Sequence, residues 1–175
     1  KVIKGRTMLK DKRELLKIIE EKAFISTTHG GETLSLAGAL ATIKILEKKG
    51  SYEHMWRIGN KLKEGLKNII KNKGLEKIVS VNGISIHCAI SFKEIGKLNS
   101  LDLLSLFQQT MIQNKILVLT DNNLCLAHTD NDIVKYLEAA EKALENIKLA
   151  VKKDNITHLL TGDKIRPIFK RNKNR

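Results

Sequence analysis

The sequence predicts an α+β fold, a small antiparallel sheet covered by helices on one side. Three observations carry this prediction. Apolar residues recur at helical spacing in several separate stretches. One run, Ile84 to Phe92, alternates strictly between apolar and small or polar residues. The order of elements is helix, helix, strands, helix, hairpin, helix, with too little strand for a doubly wound sheet.

Taken in order, Val2–Ile3 reads as the end of a strand that closes on Gly5. Between Asp11 and Glu21, charged residues alternate with Leu15, Leu16, Ile18 and Ile19, the pattern of a short amphipathic helix. Ala23–Ser26 is an extended entry into a turn rich in hydroxyls and glycines, Ser26-Thr27-Thr28-His29-Gly30-Gly31. A long helix follows from Leu34, with Leu34, Ala37, Gly38, Ala41 and Ile45 on its inner face. Lys48-Lys49-Gly50 ends it, cations in the last turn and glycine beyond.

Ser51 caps the next helix, striped by Met55, Ile58, Leu62, Leu66 and Ile69 and stopped by Gly74. Ile78–Val81 is a short strand, and Ile84–Phe92 a longer one with Ile84, Ile86, Cys88, Ile90 and Phe92 facing one way. Ser100 and Asp102 open a helix with Leu103, Leu104, Phe107 and Met111 inside. Ile116–Thr120 and Asn123–Ala127 read as strands joined by the turn pair Asp121-Asn122. Thr129-Asp130-Asn131-Asp132 is a capping box, and Ile133, Leu137, Ala140, Leu144 and Ile147 stripe the last helix. Gly162 and Pro167 punctuate an irregular end, with Ile165, Ile168 and Phe169 as anchoring contacts. The domain reading is 1–50, a large-domain remnant and connecting helix; 51–154, a small α+β domain; and 155–175, an irregular basic tail.

Composition limits the functional classes. The chain has 175 residues, 42% apolar, enough for one core. Its formal charge is +13, but aromatics are only 4% and lysines far outnumber arginines. Nucleic-acid readers lean on arginine forks and stacked aromatics, so the lysines read as solvated helix faces. The basic run from Lys164 to Arg175 is the exception. Cys88 and Cys125 have neither metal-ligand spacing nor a disulfide framework, and as reduced thiols they favour a cytoplasmic setting. No run of about 18 apolar residues offers a membrane span.

The hydroxyl-glycine turn before a helix is a phosphate-binding pattern, because unpaired N–H groups at a helix start attract anions. Two segments then carry a resemblance. Thr28-His29-Gly30-Gly31-Glu32-Thr33-Leu34-Ser35-Leu36-Ala37-Gly38 parallels Thr-Leu-Ser-Gly-Asn-Pro-Leu-Ala-Met-Ala-Ala of class III, fold type I pyridoxal-phosphate (PLP) aminotransferases. Leu126-Ala127-His128-Thr129-Asp130-Asn131-Asp132-Ile133 is similar to Leu-Ala-His-Thr-x-x-Asp-Ile of their glutamate-1-semialdehyde 2,1-aminomutase branch. The strand after Asn82-Gly83 resembles the one that opens the family's small domain.

The resemblance implies a C-terminal part of such an enzyme, with PLP as cofactor and a small-molecule amino donor and acceptor. It implies a homodimer in which Thr28 of one subunit reaches the cofactor phosphate of the other, with Thr27 and His29 as secondary contacts. It places the Schiff-base lysine upstream; Lys1 and Lys4 lack the expected glycine-rich surroundings and are not assigned the role. The expectation is therefore a fragment inactive alone, with no metal, nucleic acid or membrane partner. No arginine falls within Ile116–Thr129, where many class III aminotransferases hold a substrate carboxylate, and Thr120 and Asp121 stand near the aminomutase glutamate. Glu32-Thr33 replaces the usual Asn-Pro. His128 reads as a buried or capping histidine, and His87 as solvated on the polar strand face. The alternative reading is a non-catalytic basic module that contacts nucleic acid or acidic partners.

Overall fold

A computed structural model describes residues 31–166. The chain divides into two compact units, Lys1–Lys48 and Lys49–Arg175. In the first, the described part is helix α1, Thr33–Leu46. It buries none of its residues; Leu34, Leu36, Leu40, Ile43 and Ile45 are all exposed. The expected inner face is therefore uncovered, and apolar residues surround the helix on all sides. A helix of that kind belongs inside a larger body of protein.

The second unit contains α2 (Ser51–Lys73), β1 (Val79–Ile84), β2 (His87–Phe92), α3 (Ser100–Gln113), β3 (Asp121–Asn123) and α4 (Asp130–Lys153). The strands form one antiparallel sheet in the order β1-β2-β3. Val79, Cys88 and Ile90 turn one face to the core, and Val81 and Phe92 pack beside them. Across the other face, Asn82 Nδ2 donates to Ser91 Oγ at 3.1 Å and to Ser80 Oγ at 3.3 Å. Phe92 meets Phe107 of α3 with ring centroids 5.5 Å apart and planes tilted by 52°, away from an unfavourable face-to-face sandwich.

The helical stripes close the core. Met55, Ile58, Leu62, Leu66 and Ile70 of α2 are buried, and the expected Ile69 is half-buried and packs against the same core. Leu103, Leu106, Phe107 and Met111 of α3 are buried, Leu106 in place of Leu104. Ile133, Ala140, Leu144 and Ile147 of α4 fulfil the expected stripe. Each large side chain so buried is worth about 1.5–3 kcal/mol. The caps are specific. Gly50, at φ 90°, is the N-cap of α2, so Ser51 is its first residue. Asn99 and Asp102 form a capping box on α3, and Thr129 and Asp132 form the expected one on α4.

Two strand readings are corrected. Ile84–Phe92 is not one strand: β1 ends at Ile84, Ser85-Ile86 turn, and His87 begins β2 opposite Ile84. Gly83 makes this possible with φ 84°, and a Cβ there would lie 2.5 Å from the His87 carbonyl oxygen. Asp121-Asn122 is not a turn between strands but part of β3 itself, paired with Ala89 and Cys88. Residues 116–119 lie outside the strands, although the Ile90 N–H donates to the Thr120 carbonyl at 3.1 Å. Beyond α4 the described residues, as far as Arg166, are irregular yet well fastened, while Pro167, Ile168 and Phe169 lie outside the described residues. Ile156 is buried, Gln109 Nε2 donates to the Leu159 carbonyl at 2.8 Å, and the Ile165 N–H donates to Ser105 Oγ at 2.9 Å.

Candidate functional site

The start of α1 is the nearest described element to the expected phosphate turn; Thr27, Thr28 and His29 lie outside the described residues. Glu32 is the N-cap. Its carboxylate accepts the N–H groups of Leu34 at 2.9 Å and Ser35 at 2.6 Å. The Ser35 side chain first, and these two N–H groups after it, hold the carboxyl below its ordinary range. Two of the N–H groups that a bare helix start would offer to an anion, those of Leu34 and Ser35, are thus already taken by the chain's own carboxylate. That carboxylate also repels a phosphate brought to the helix start. The substitution of Glu32-Thr33 for Asn-Pro was visible in the sequence, but a glutamate is an uncommon cap and its reach back onto two N–H groups is a matter of geometry.

The second matched segment lies in the other unit, around the turn that leads into α4. The His128 N–H donates to the Cys125 carbonyl at 3.2 Å, closing the turn. The Cys125 N–H donates to His128 Nδ1 at 3.1 Å, and Cys125 Sγ lies 3.2 Å from the same nitrogen. His54 Nε2 on α2 donates to the His128 carbonyl at 2.9 Å. His128 is half-buried and secures the turn, while the cap of α4 belongs to Thr129. The Thr129 side chain, and then its N–H, lower the Asp132 pKa. Asp130 is clasped by Arg57 at 2.8 Å and Lys61 at 2.9 Å, and these two cations hold its carboxyl well below the usual carboxylate range. That clasp ties the start of α4 to α2. It was not legible in the sequence, where its members stand about seventy positions apart.

Beside this turn is a cavity of about 550 Å³. Its apolar wall includes Leu62, Ile116, Val118, Leu124 and Ile133, and its polar groups include Asp121, Asn122, His128 and Asp132. Leu117 and Leu119 at its edge are 89% and 72% exposed. Asn122 is buried and donates to the Cys88 carbonyl at 3.2 Å. The Tyr136 hydroxyl is buried without a hydrogen bond, and burial raises its pKa. His87 is exposed, as read, and its Nδ1 bonds Asn123 Oδ1. The cavity has no arginine in its wall, and Asp121 sits in it. Among the described residues no group of His, Cys, Asp and Glu is arranged to hold a metal ion. No described helix is long and apolar enough to cross a membrane.

No family model matches the chain. It is homologous to the C-terminal region of glutamate-1-semialdehyde 2,1-aminomutases. It is 27% identical to that of Persephonella marina, over 78% of this chain and 34% of the relative. It is 30% identical to that of Thermus thermophilus, over 67% of this chain and 30% of the relative. The chain thus spans about a third of the length of these relatives. Among solved structures, a transaminase with PLP bound matches at TM-score 0.60 and 15% identity, over 68% of this chain and 28% of that one. The Sphingopyxis sp. MTA144 FumI protein, in a PLP-bound form, matches at TM-score 0.56 and 19% identity, over 75% of this chain and 31% of that one. The fold of the chain is the one found in these PLP proteins.

Proposed function

We propose that this chain does the work of the C-terminal portion of a PLP-dependent aminomutase or class III aminotransferase. The observation that carries the reading is its collinear similarity to one third of the aminomutases, joined to a fold shared with PLP transaminases. PLP, when bound, withdraws electrons from the substrate carbon that bears the amino group, so that the group can move to another carbon.

The described residues do not themselves fit a phosphate, since Glu32 occupies the start of α1. On the resemblance of the Thr28–Gly38 segment to the family, the phosphate contact is assigned to the Thr28 hydroxyl and N–H, with Thr27 and His29 beside it, reaching the cofactor of a second subunit. Helix α1, apolar on all sides, is the element that would pack into the cofactor-binding body. The unit from Lys49 onward is a self-contained support whose cavity beside Asp121 and His128 would border the substrate. That cavity has no arginine in its wall and presents the Asp121 carboxylate, which favours a substrate whose group there is a donor or a cation. The Schiff-base lysine is assigned upstream of the chain, and turnover by the chain alone is not expected.

The test is borohydride reduction with PLP followed by peptide mapping. The 175-residue chain should show no stoichiometric lysine adduct, whereas the gene product that includes the upstream region should show one, outside this chain. In that longer protein Thr28→Ala should weaken PLP binding roughly 10- to 150-fold, the loss of a hydrogen bond to a charged group. A single stoichiometric adduct at one of this chain's own lysines, or unchanged PLP affinity in the variant, overturns the assignment.

A further inference from the structure

The sheet ends at β3, whose far side has no neighbouring strand. The open side runs back along the residues before it. From Leu117 to Asn123 exposure alternates without a break: Leu117, Leu119, Asp121 and Asn123 are exposed, and Val118 and Asn122 are buried between them. Such alternation marks an extended chain with one face on a core. Two bonds fix the backbone directions. The Ile90 N–H donates to the Thr120 carbonyl at 3.1 Å, and the Leu124 N–H to the Ile86 carbonyl at 3.0 Å. Even-numbered residues thus turn their main-chain groups toward β2, and Leu117, Leu119 and Asp121 turn theirs to the open side. Among the described residues no main-chain bond reaches Leu117 or Leu119. Free N–H and C=O groups beside exposed apolar side chains are a template for another strand.

The segment is complementary to itself. In a two-fold antiparallel pairing centred on Val118, Leu117 of each copy lies opposite the second copy's Leu119, and Lys115 opposite its Asp121. Odd residues meet odd residues, so each Leu117 and Leu119 pair exchanges both its N–H and C=O bonds. Lys115 has φ 65° and its N–H donates to the Ile112 carbonyl at 2.8 Å, so it contributes its exposed ammonium rather than a ladder donor. A centre one residue later sets Leu117 against Asp121, and a centre on Asp121 sets that carboxylate against its own copy. The Val118 register is the one of these that matches apolar to apolar and cation to anion.

We propose that residues 115–121 are a self-pairing edge by which two copies of this chain join their sheets into one. The edge goes beyond the aminomutase reading and does not rest on it.

The test uses the 175-residue chain without PLP, followed by sedimentation over a range of concentrations. A reversible monomer–dimer equilibrium is expected. Lys115→Glu alone and Asp121→Lys alone each set like charges opposite one another at both ends of the axis, and each should weaken dimerisation at least about fivefold. An equimolar mixture of the two variants restores both opposite-charge pairs and should bring the affinity back to within about twofold of the parent's. Association through the exposed helix α1 is indifferent to these charges and shows no such rescue. A monomeric parent, unchanged single variants, or a mixture no tighter than its components overturns the edge. Should either variant not fold, amide hydrogen exchange of the parent decides. Leu117 and Leu119 amides that slow as concentration rises support the pairing, and exchange independent of concentration refutes it.

Discussion

Glycine at position 59, inside α2, lies close against the turn of the β1–β2 hairpin. A Cβ there would lie 2.6 Å from the Ser85 carbonyl oxygen, 2.7 Å from its carbon and 3.1 Å from the Ile86 nitrogen. These are backbone atoms of a two-residue turn and cannot swing aside. At Gly65, further along the same helix, a Cβ would meet only the Leu137 side chain, at 2.5 and 2.8 Å. Replacement by alanine gains about 1 kcal/mol of helix propensity at either place. That common gain cancels in the difference between Gly59→Ala and Gly65→Ala, which isolates the cost of moving backbone against that of re-seating one leucine. Overpacking costs about 1–3 kcal/mol where the structure must shift, and less where a rotamer can change. Gly59→Ala should therefore be the less stable variant by roughly 1–2 kcal/mol, or about 3–10 °C in midpoint for a unit of this size. Thermal and urea unfolding of the full chain, followed by circular dichroism, measures both. Gly59→Ala equal to or above Gly65→Ala in stability would refute the close packing of helix on hairpin.

Thr129→Ala removes the hydroxyl's bonds with Asp132 in the α4 capping box, while the Thr129 N–H keeps its bond to the Asp132 carboxylate, and should cost about 1 kcal/mol in urea unfolding, with Thr129→Ser restoring most of it. Phe107→Ala empties a fully buried position against Phe92 and should cost about 3–5 kcal/mol, read in the same assay. The folded pKa of Asp130 is depressed by Arg57 and Lys61, so its contribution to stability is complete above the ordinary value of 3.8 and is lost as the pH falls through and below it. Asp130→Asn should differ from the parent at about pH 6 and converge with it in acid; a difference that persists or grows at low pH contradicts the clasp.

The helices were legible because their burial follows a period the sequence displays, as in Ile58, Leu62 and Leu66 or Ala140, Leu144 and Ile147. The hairpin was not, because Ile84 and Ile86 continue the alternation of Cys88 and Ile90 straight across the turn. The true signal was Gly83, which alone tolerates the positive φ that turn entry requires. Asp121 and Asn122 misled in the opposite way. Their turn preference is local, and pairing with Ala89 and Cys88 outweighs it, with the buried Asn122 amide satisfied by the Cys88 carbonyl. At the candidate site, the Leu-Ala-His-Thr segment could be recognised from residue types. The occupation of the helix start by Glu32 and the closeness of Cys125 to His128 are matters of distance, which a string of residue types does not encode.

Whoever purifies this polypeptide will first meet helix α1. An oily rod wetted along its whole circumference, with Leu34 at 78% exposure, promotes clumping at bench concentrations. Trimming through Lys48 would spare the bundle that follows, whose hydrophobic interior draws on residues from Ile58 onward. A rise in yield after that cut would mark the rod as a surface that nature shelters.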